Sequence, residues 1–135
     1  MGTVLDSLRA VSRVVCAGEL PATEMAKRLG TIEKDYGGGL QVVVRPADPR
    51  LRSAEVTRRA GSETAASVHL ELVEPATVAA LRAAFGEYEE GPLLHYDSPI
   101  EIGFSEGGCM LIARVTPGPN GVAEGTIARL TIRPR

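Results

Sequence analysis

The stretch that decides the fold is IEIGFSEGGCMLIARVTPGPNGVAEGTIARLTIR, residues 100–133. It opens with apolar residues at every second position from Ile100 to Phe104, a spacing typical of a strand with one buried face. Two glycines at 107–108 and the segment TPGPNG at 116–121 are residue types that tight turns favour. The predicted strands span 100–104, 109–115 and 126–133. Three successive strands with short connections predict an antiparallel meander.

Three helices are predicted ahead of this meander, over residues 4–17, 21–29 and 75–85. In the first, apolar residues recur at the period of one helix face, and Gly18 ends it. Pro21 suits the first turn of the second helix and Gly30 suits its end. Pro75 and Gly86 bound the third helix in the same way.

Further strands are predicted at Leu40–Arg45, at Val68–Leu72, at Leu93–Tyr96 and, as a short edge strand, at Ser53–Arg59. The fold class that follows is α+β, with two N-terminal helices and one mid-chain helix packed on a mainly antiparallel sheet of five or six strands. Residues 1–135 are expected to form a single domain. The expected core residues are Leu8, Val11, Val15, Val43, Leu70, Leu72, Leu81, Phe85, Ile102, Phe104, Leu111 and Leu130.

The overall composition excludes several classes of protein. The formal net charge of −2 gives no bulk electrostatic reason to bind nucleic acid or membrane, and aromatic residues make up only 4% of the chain. No apolar run is long enough to span a bilayer. The two cysteines, Cys16 and Cys109, have no metal-ligand spacing. We therefore expect a soluble cytoplasmic protein with reduced thiols, no cofactor, no metal, and neither nucleic acid nor membrane as partner.

The second and third predicted helices begin alike, with LPAT at 20–23 and EPAT at 74–77. Each helix is followed by extended structure, so the pattern fits a duplicated unit as well as a chance match in a chain rich in alanine and arginine. The second unit is a helix ending at Phe85-Gly86 and followed by strands, and it resembles the repeats of β-lactamase-inhibitor-like modules. This resemblance implies a helix-and-strand layout, and no function is carried over from it.

Two motifs are weighed as sites and set aside. Residues 24–30 (EMAKRLG) resemble the first helix and turn of a helix-turn-helix. The following segment 31–36 (TIEKDY) is too short and too acidic for a recognition helix, so a DNA-binding regulator is disfavoured. His95 and Asp97 would share one face of a strand, but a metal needs further ligands that the pattern does not supply.

A cluster of arginines is the candidate anion-binding site. Its members are Arg45, Arg50, Arg52, Arg58 and Arg59. Guanidinium groups bind phosphate or carboxylate with two parallel hydrogen bonds. The alternative is a solvated strand that the charges protect from edge-to-edge aggregation.

An acidic segment is the candidate partner-binding surface. Its members are Glu87, Glu89, Glu90, Asp97 and Glu101, and the chain has no Lys or Arg between Arg82 and Arg114. Such a field speeds association with a basic partner. Together with the missing catalytic motifs, it favours a small non-enzymatic protein-interaction module: an accessory, adaptor or immunity-type inhibitor protein. The alternative is a small-ligand-binding protein or small enzyme with a pocket between helix and sheet.

Overall fold

A computed structural model describes residues 3–16, 20–91 and 99–135 of the chain. The described residues form three helices and eight strands. The helices are α1 (Val4–Cys16), α2 (Ala22–Leu29) and α3 (Val78–Phe85). The strands are β1 (Gly30–Tyr36), β2 (Gln41–Pro46), β3 (Leu51–Arg58), β4 (Ala65–Thr77), β5 (Glu89–Glu90), β6 (Ile100–Glu106), β7 (Cys109–Gly118) and β8 (Gly121–Pro134). None of the described helices is long and apolar enough to cross a membrane.

The strands form one antiparallel sheet in the order β1-β2-β3-β4-β8-β7-β6-β5. Helices α2 and α3 are each followed by four strands, and the two four-stranded groups join where β4 pairs with β8. The predicted α+β class and the C-terminal meander are confirmed. The predicted number of five or six strands is wrong, since β1 has three consecutive charged residues at 33–35 and β5 has only two residues. Neither strand carries the apolar alternation by which strands are recognised in a sequence.

The buried side of the sheet shows the repeated layout in its side chains. One row of cross-strand partners runs from β2 to β6 through Val44, Ala54, Leu70, Leu130, Ala113 and Ile102. All six side chains are buried. From either end of the row, the first side chain is large, the second is small and the third is large. The three helices pack on this side, α1 and α3 mainly on β8 and β4, α2 on β2 and β3.

Eleven of the twelve predicted core residues are buried, and Val43 is the exception. Val42 and Val44 face the helices, so the alternation of the strand turns Val43 to the opposite side. Three consecutive valines fit either register equally well, and a shift by one residue exchanges the two faces. Only the pairing of β2 with β1 and β3 selects between them.

Three predicted elements are placed differently by the structure. The predicted edge strand at 53–59 is β3, which lies inside the sheet between β2 and β4. The third helix begins at Val78 because β4 continues through Pro75, and the Thr77 hydroxyl accepts the Ala80 N–H at 3.0 Å as its cap. Residues 31–36 belong to β1, so no recognition helix follows α2 there.

Cys16 and Cys109 are joined by a disulfide. The prediction of reduced thiols is therefore wrong. The two α-carbons lie 5.7 Å apart, within the usual range for a disulfide, because α1 crosses the sheet and ends above the start of β7. Cysteines separated by 93 positions carry no local sign of such an approach. It results from the packing of a helix on a distant strand.

Candidate functional site

The candidate site is the side of the sheet opposite the helices, which we call the open face. Its side chains alternate along each strand with those of the core. One row of cross-strand partners on it comprises Lys34, Val43, Glu55, His69, Thr131, Ile112, Gly103 and Glu89. A second row comprises Ser53, Glu71, Arg129, Arg114 and Glu101. Within the described ranges, no helix covers these rows.

A hollow of about 480 Å³ lies between the two rows at the centre of the open face. Aliphatic side chains reach it at Val43 and Ile112, and polar side chains reach it at His69, Thr131 and Arg129. Most of the lining side chains are polar, whereas a small-ligand pocket is lined mainly by apolar ones with a few convergent polar groups. The buried row has the same order of large and small side chains from either end, whereas the two rows of the open face have a different order of side-chain types from each end. The repeated layout therefore accounts for the core but not for the chemistry of the open face.

A chain of hydrogen bonds fixes the floor of the hollow. Thr57 Oγ1 lies 2.6 Å from Ser67 Oγ, which lies 3.2 Å from His69 Nε2. On the other side of the ring, His69 Nδ1 lies 2.9 Å from Thr131 Oγ1. The imidazole is thus held between hydroxyls on β4 and β8. In a Ser-His-acid triad a carboxylate orients the imidazole, and here the Thr131 hydroxyl takes that place. These hydrogen bonds fix the orientation of the imidazole ring beside the hollow.

Charged side chains form a second network at the rim. The Glu71 carboxylate lies 3.3 Å from a guanidinium nitrogen of Arg52 and 3.5 Å from Nε of Arg129. Glu55 Oε1 accepts a hydrogen bond of 2.8 Å from the side-chain amide of Gln41. Several of the side chains on this face are therefore already oriented by their neighbours, which lowers the entropy that a partner must remove on binding.

The structure separates the four described members of the predicted acidic surface. Glu89 and Glu101 lie on the open face. Glu90 is the cross-strand partner of buried Ile102 and so lies on the helix side at the sheet edge. Asp97 lies outside the described residues, as do His95 and the predicted strand at 93–96.

Glu87, the remaining member, pairs with Arg82 of α3 at 2.7 Å. A hydrogen bond from Arg82 to Glu87, together with the negative charge of that carboxylate, raises the pKa of the Arg82 guanidinium further. Glu87 is thus neutralised within the chain. Of the described members of the acidic surface, Glu89 and Glu101 are the two that lie on the open face.

The five arginines of the predicted anion site also lie apart. Arg45, Arg50 and Arg52 pair with different carboxylates at 3.4, 3.9 and 3.3 Å. Arg58 donates hydrogen bonds to carbonyl oxygens of Gly37, Gly38, Arg59 and Ser62, and so ties two loops together. Arg59 is exposed in the loop after β3. Most of the cluster stabilises the N-terminal half of the sheet.

Sequence reasoning missed the residues that the open face brings together, above all His69, Ile112, Arg114, Arg129 and Thr131. Each except Arg129, which follows the exposed Ala128, is a polar or half-buried position between two buried ones on its strand, and this local signal is present in the sequence. Which strands lie side by side is not a local property. The pairing of β4 with β8 is what places His69 beside Thr131.

Asp48 gives a prediction for the dependence of stability on pH. Burial alone would raise the pKa of this carboxyl, but the Ser7 hydroxyl, the Arg50 backbone N–H at 2.9 Å and the Arg50 charge together lower it below its ordinary value of 3.8. A pKa lowered by folding stabilises the protein above the unfolded value, and the contribution is lost as pH falls through the folded value. We expect Asp48→Asn to cost about 1 kcal/mol at pH 7. Below pH 3.8 the cost should shrink.

Urea unfolding of the wild type and Asp48→Asn at neutral and at acid pH measures this difference. Glu24→Gln is the matched control, because Glu24 makes only an exposed pair with Lys27 on α2. A cost that is equal at both pH values, or no larger than that of the control at pH 7, would show that the lowered pKa does not stabilise the fold.

Comparison with known proteins gives one structural neighbour. No protein-family model matches the sequence, and no curated protein matches it. Among solved structures, the chain is similar to a DUF4309 family protein, YjgB, from Bacillus subtilis, with a TM-score of 0.61 and 10% sequence identity over 97% of each chain. At that identity the similarity shows a shared fold, and the function has to be argued from the open face.

Proposed function

We propose that this protein is a small non-enzymatic protein-interaction module, of the accessory, adaptor or immunity-type inhibitor class, that holds a partner protein on the open face. The observation that carries the proposal is the hollow at the centre of a sheet face whose side chains are fixed by hydrogen bonds. Antiparallel sheets often leave one face in water, so exposure alone is not an argument. A sheet face that only contacts water needs neither a hollow with hydrogen-bonded side chains at its floor nor apolar side chains at the sides of that hollow.

Apolar side chains on the open face support a protein partner. Val43 and Ile112 line the hollow, and Tyr36 at the end of β1 lies on the same face with half of its surface exposed. Protein interfaces combine such apolar contacts with a polar rim, and tyrosine is enriched in them. The open face has this composition, with charged side chains around the hollow.

The contact that a basic partner would make lies at the β5–β6 end of the face. Gly103 is the cross-strand partner of both Glu89 and Ile112, and the methyl group of Met110 lies over it, 3.3 Å from the position that a Cβ atom would take. Glu101 lies two residues away on the same strand and the same face. A lysine or arginine of the partner that approaches this end of the face meets two carboxylates. This contact uses Glu89 and Glu101 from among the described members of the acidic surface expected from the sequence.

The hollow also favours the alternative function, a small-ligand-binding protein. Its volume of about 480 Å³ is within the range of ligand pockets. It lies on the open face and not between helix and sheet, and it is open to solvent rather than enclosed. An enclosed site would bury most of a small ligand, whereas an open one suits side chains that project from a larger surface. This difference is why we place a protein first.

The disulfide bears on where the protein works. The cytoplasmic location expected from the sequence depended on reduced thiols, and a disulfide between Cys16 and Cys109 removes that support. Structural disulfides persist in oxidising compartments and are rare in the cytosol. We therefore infer that the module meets its partner in an oxidising compartment. Thiol labelling of the denatured protein, isolated from its own cells with thiols blocked, would show free cysteines if this inference is wrong.

Photo-crosslinking in the cells that produce the protein tests the proposed function. A photo-reactive amino acid at Ile112 or Thr131 should give an adduct with a partner protein, whereas one at Glu24 on α2 should not. We expect Glu89→Gln with Glu101→Gln to lower the adduct yield about fivefold to tenfold, because two charge-assisted contacts are lost. Stability should change little, since exposed charges contribute little to it.

Two results would contradict the proposal. One is an adduct that forms as readily from Glu24 as from the open face. The other is the lack of any adduct from the open face while the protein is folded and present. If the adduct forms from the open face but the double substitution leaves its yield unchanged, the open face remains the proposed binding surface. The proposed contact with a basic side chain of the partner is then excluded.

A further inference from the structure

Arg114 and Arg129 lie directly opposite each other on β7 and β8, at one rim of the hollow. Both side chains belong to the open face. Like charges at directly opposed positions on neighbouring strands destabilise a sheet. The isolated fold therefore gains nothing from this pair, whereas an anion placed between the two guanidinium groups would make the arrangement favourable.

The carboxylates already present, one opposite each arginine, leave part of the hydrogen-bonding capacity of the pair unused. Glu71 lies 3.5 Å from Nε of Arg129, but it also lies 3.3 Å from Arg52 and so serves two guanidinium groups. Among the described residues, no carboxylate lies within 4 Å of the Arg114 guanidinium, although Glu101 is its cross-strand partner. The two arginines thus retain donors for a further acceptor.

We infer that the Arg114–Arg129 pair binds an acidic side chain of the partner protein. This inference rests on the proposed function and names a second contact of the same face. Planar guanidinium groups bind a carboxylate with two parallel hydrogen bonds. Ile112 lies two residues from Arg114 on the same side of β7 and offers an apolar contact to the methylene groups of a glutamate.

The flanking charges favour a carboxylate over a phosphate. The row that contains the arginine pair has Glu71 at one side and Glu101 at the other. A doubly charged phosphate is repelled by these carboxylates more strongly than a singly charged carboxylate. The partner must then present an acidic side chain beside a basic one, the base meeting Glu89 and Glu101. Neighbouring strands are about 5 Å apart, so the two groups on the partner lie about 5–10 Å apart.

Titration of the purified protein with the peptide Ac-Gly-Gly-Glu-Gly-Gly-NH2, followed by NMR of the arginine Nε–H groups at constant ionic strength, tests the inference. We expect saturable shifts at Arg114 and Arg129, and a half-saturation concentration at least fivefold lower than any seen at Arg28 on α2. The glutamine version of the peptide should give no saturable shift. Arg129→Gln should raise the half-saturation concentration at least fivefold, whereas Arg28→Gln should leave it unchanged.

Equal shifts at Arg28 and at the arginine pair would overturn the inference, because the anion would then bind without selectivity. Succinate that binds more than tenfold more tightly than the peptide would also overturn it and indicate a small-molecule site. The assay uses no partner, so its outcome is independent of the crosslinking result. Saturable peptide binding without an adduct refutes the proposed function and leaves only a carboxylate site at the arginine pair, whereas an adduct without peptide binding refutes the arginine contact alone.

Discussion

Replacing both cysteines with serine should lower the free energy of unfolding by about 4–5 kcal/mol, the largest effect expected for any change in this protein. The Cys16–Cys109 disulfide closes a loop of 93 residues, and a cross-link of that span removes much of the conformational entropy of the unfolded chain. It also holds the end of α1 against β7. Denaturant unfolding of the oxidised wild type and of Cys16→Ser with Cys109→Ser measures the difference.

The reduced wild-type protein is the control for this comparison, since it keeps both sulfur atoms and loses only the bond. It should unfold at nearly the same denaturant concentration as the double serine variant. A difference of less than about 1 kcal/mol between oxidised and reduced protein would be too small for a loop of this length in the chain-entropy account. The disulfide would then contribute little to the fold.

Phe104→Ala should lower the free energy of unfolding by about 3–5 kcal/mol. Phe104 on β6 is completely buried, and its ring centroid lies 6.2 Å from that of Phe85 and 5.7 Å from that of Tyr88. These three rings join α3 and the segment after it to β6. Removing the central ring leaves a cavity between them that the surrounding strands cannot close.

Tyr36→Ala is the matched control, because Tyr36 is an aromatic residue with half of its surface exposed at the end of β1. Its loss should change stability by less than about 0.5 kcal/mol. Thermal and urea unfolding of both variants gives the comparison. A similar small cost at the two positions would contradict the assignment of Phe104 to the centre of the core.

The open face also explains why the acidic and basic clusters predicted from the sequence differ from the charged groups that the structure brings together. Proximity along the chain grouped Glu87 with Glu89, but Arg82 pairs with the first and only the second reaches the open face. Proximity also grouped Arg45 with Arg58, which bind carboxylate and carbonyl groups in different parts of the sheet. Arg114 and Arg129, which face each other, are too distant in the chain to be grouped this way.

The amino-acid sequence by itself determined the elements with a strong apolar period and the face that each one buries. Helices α1 and α2, the meander of β6, β7 and β8, and eleven of twelve core residues follow from that local pattern. The tertiary structure alone decided how distant segments meet. It incorporated β1 and β5 into the sheet, joined Cys16 to Cys109, and placed His69 beside Thr131. The physical reason is that the spacing of apolar residues shows which side of a segment is buried. Which strands pair with each other depends instead on the free energy of the whole assembled sheet.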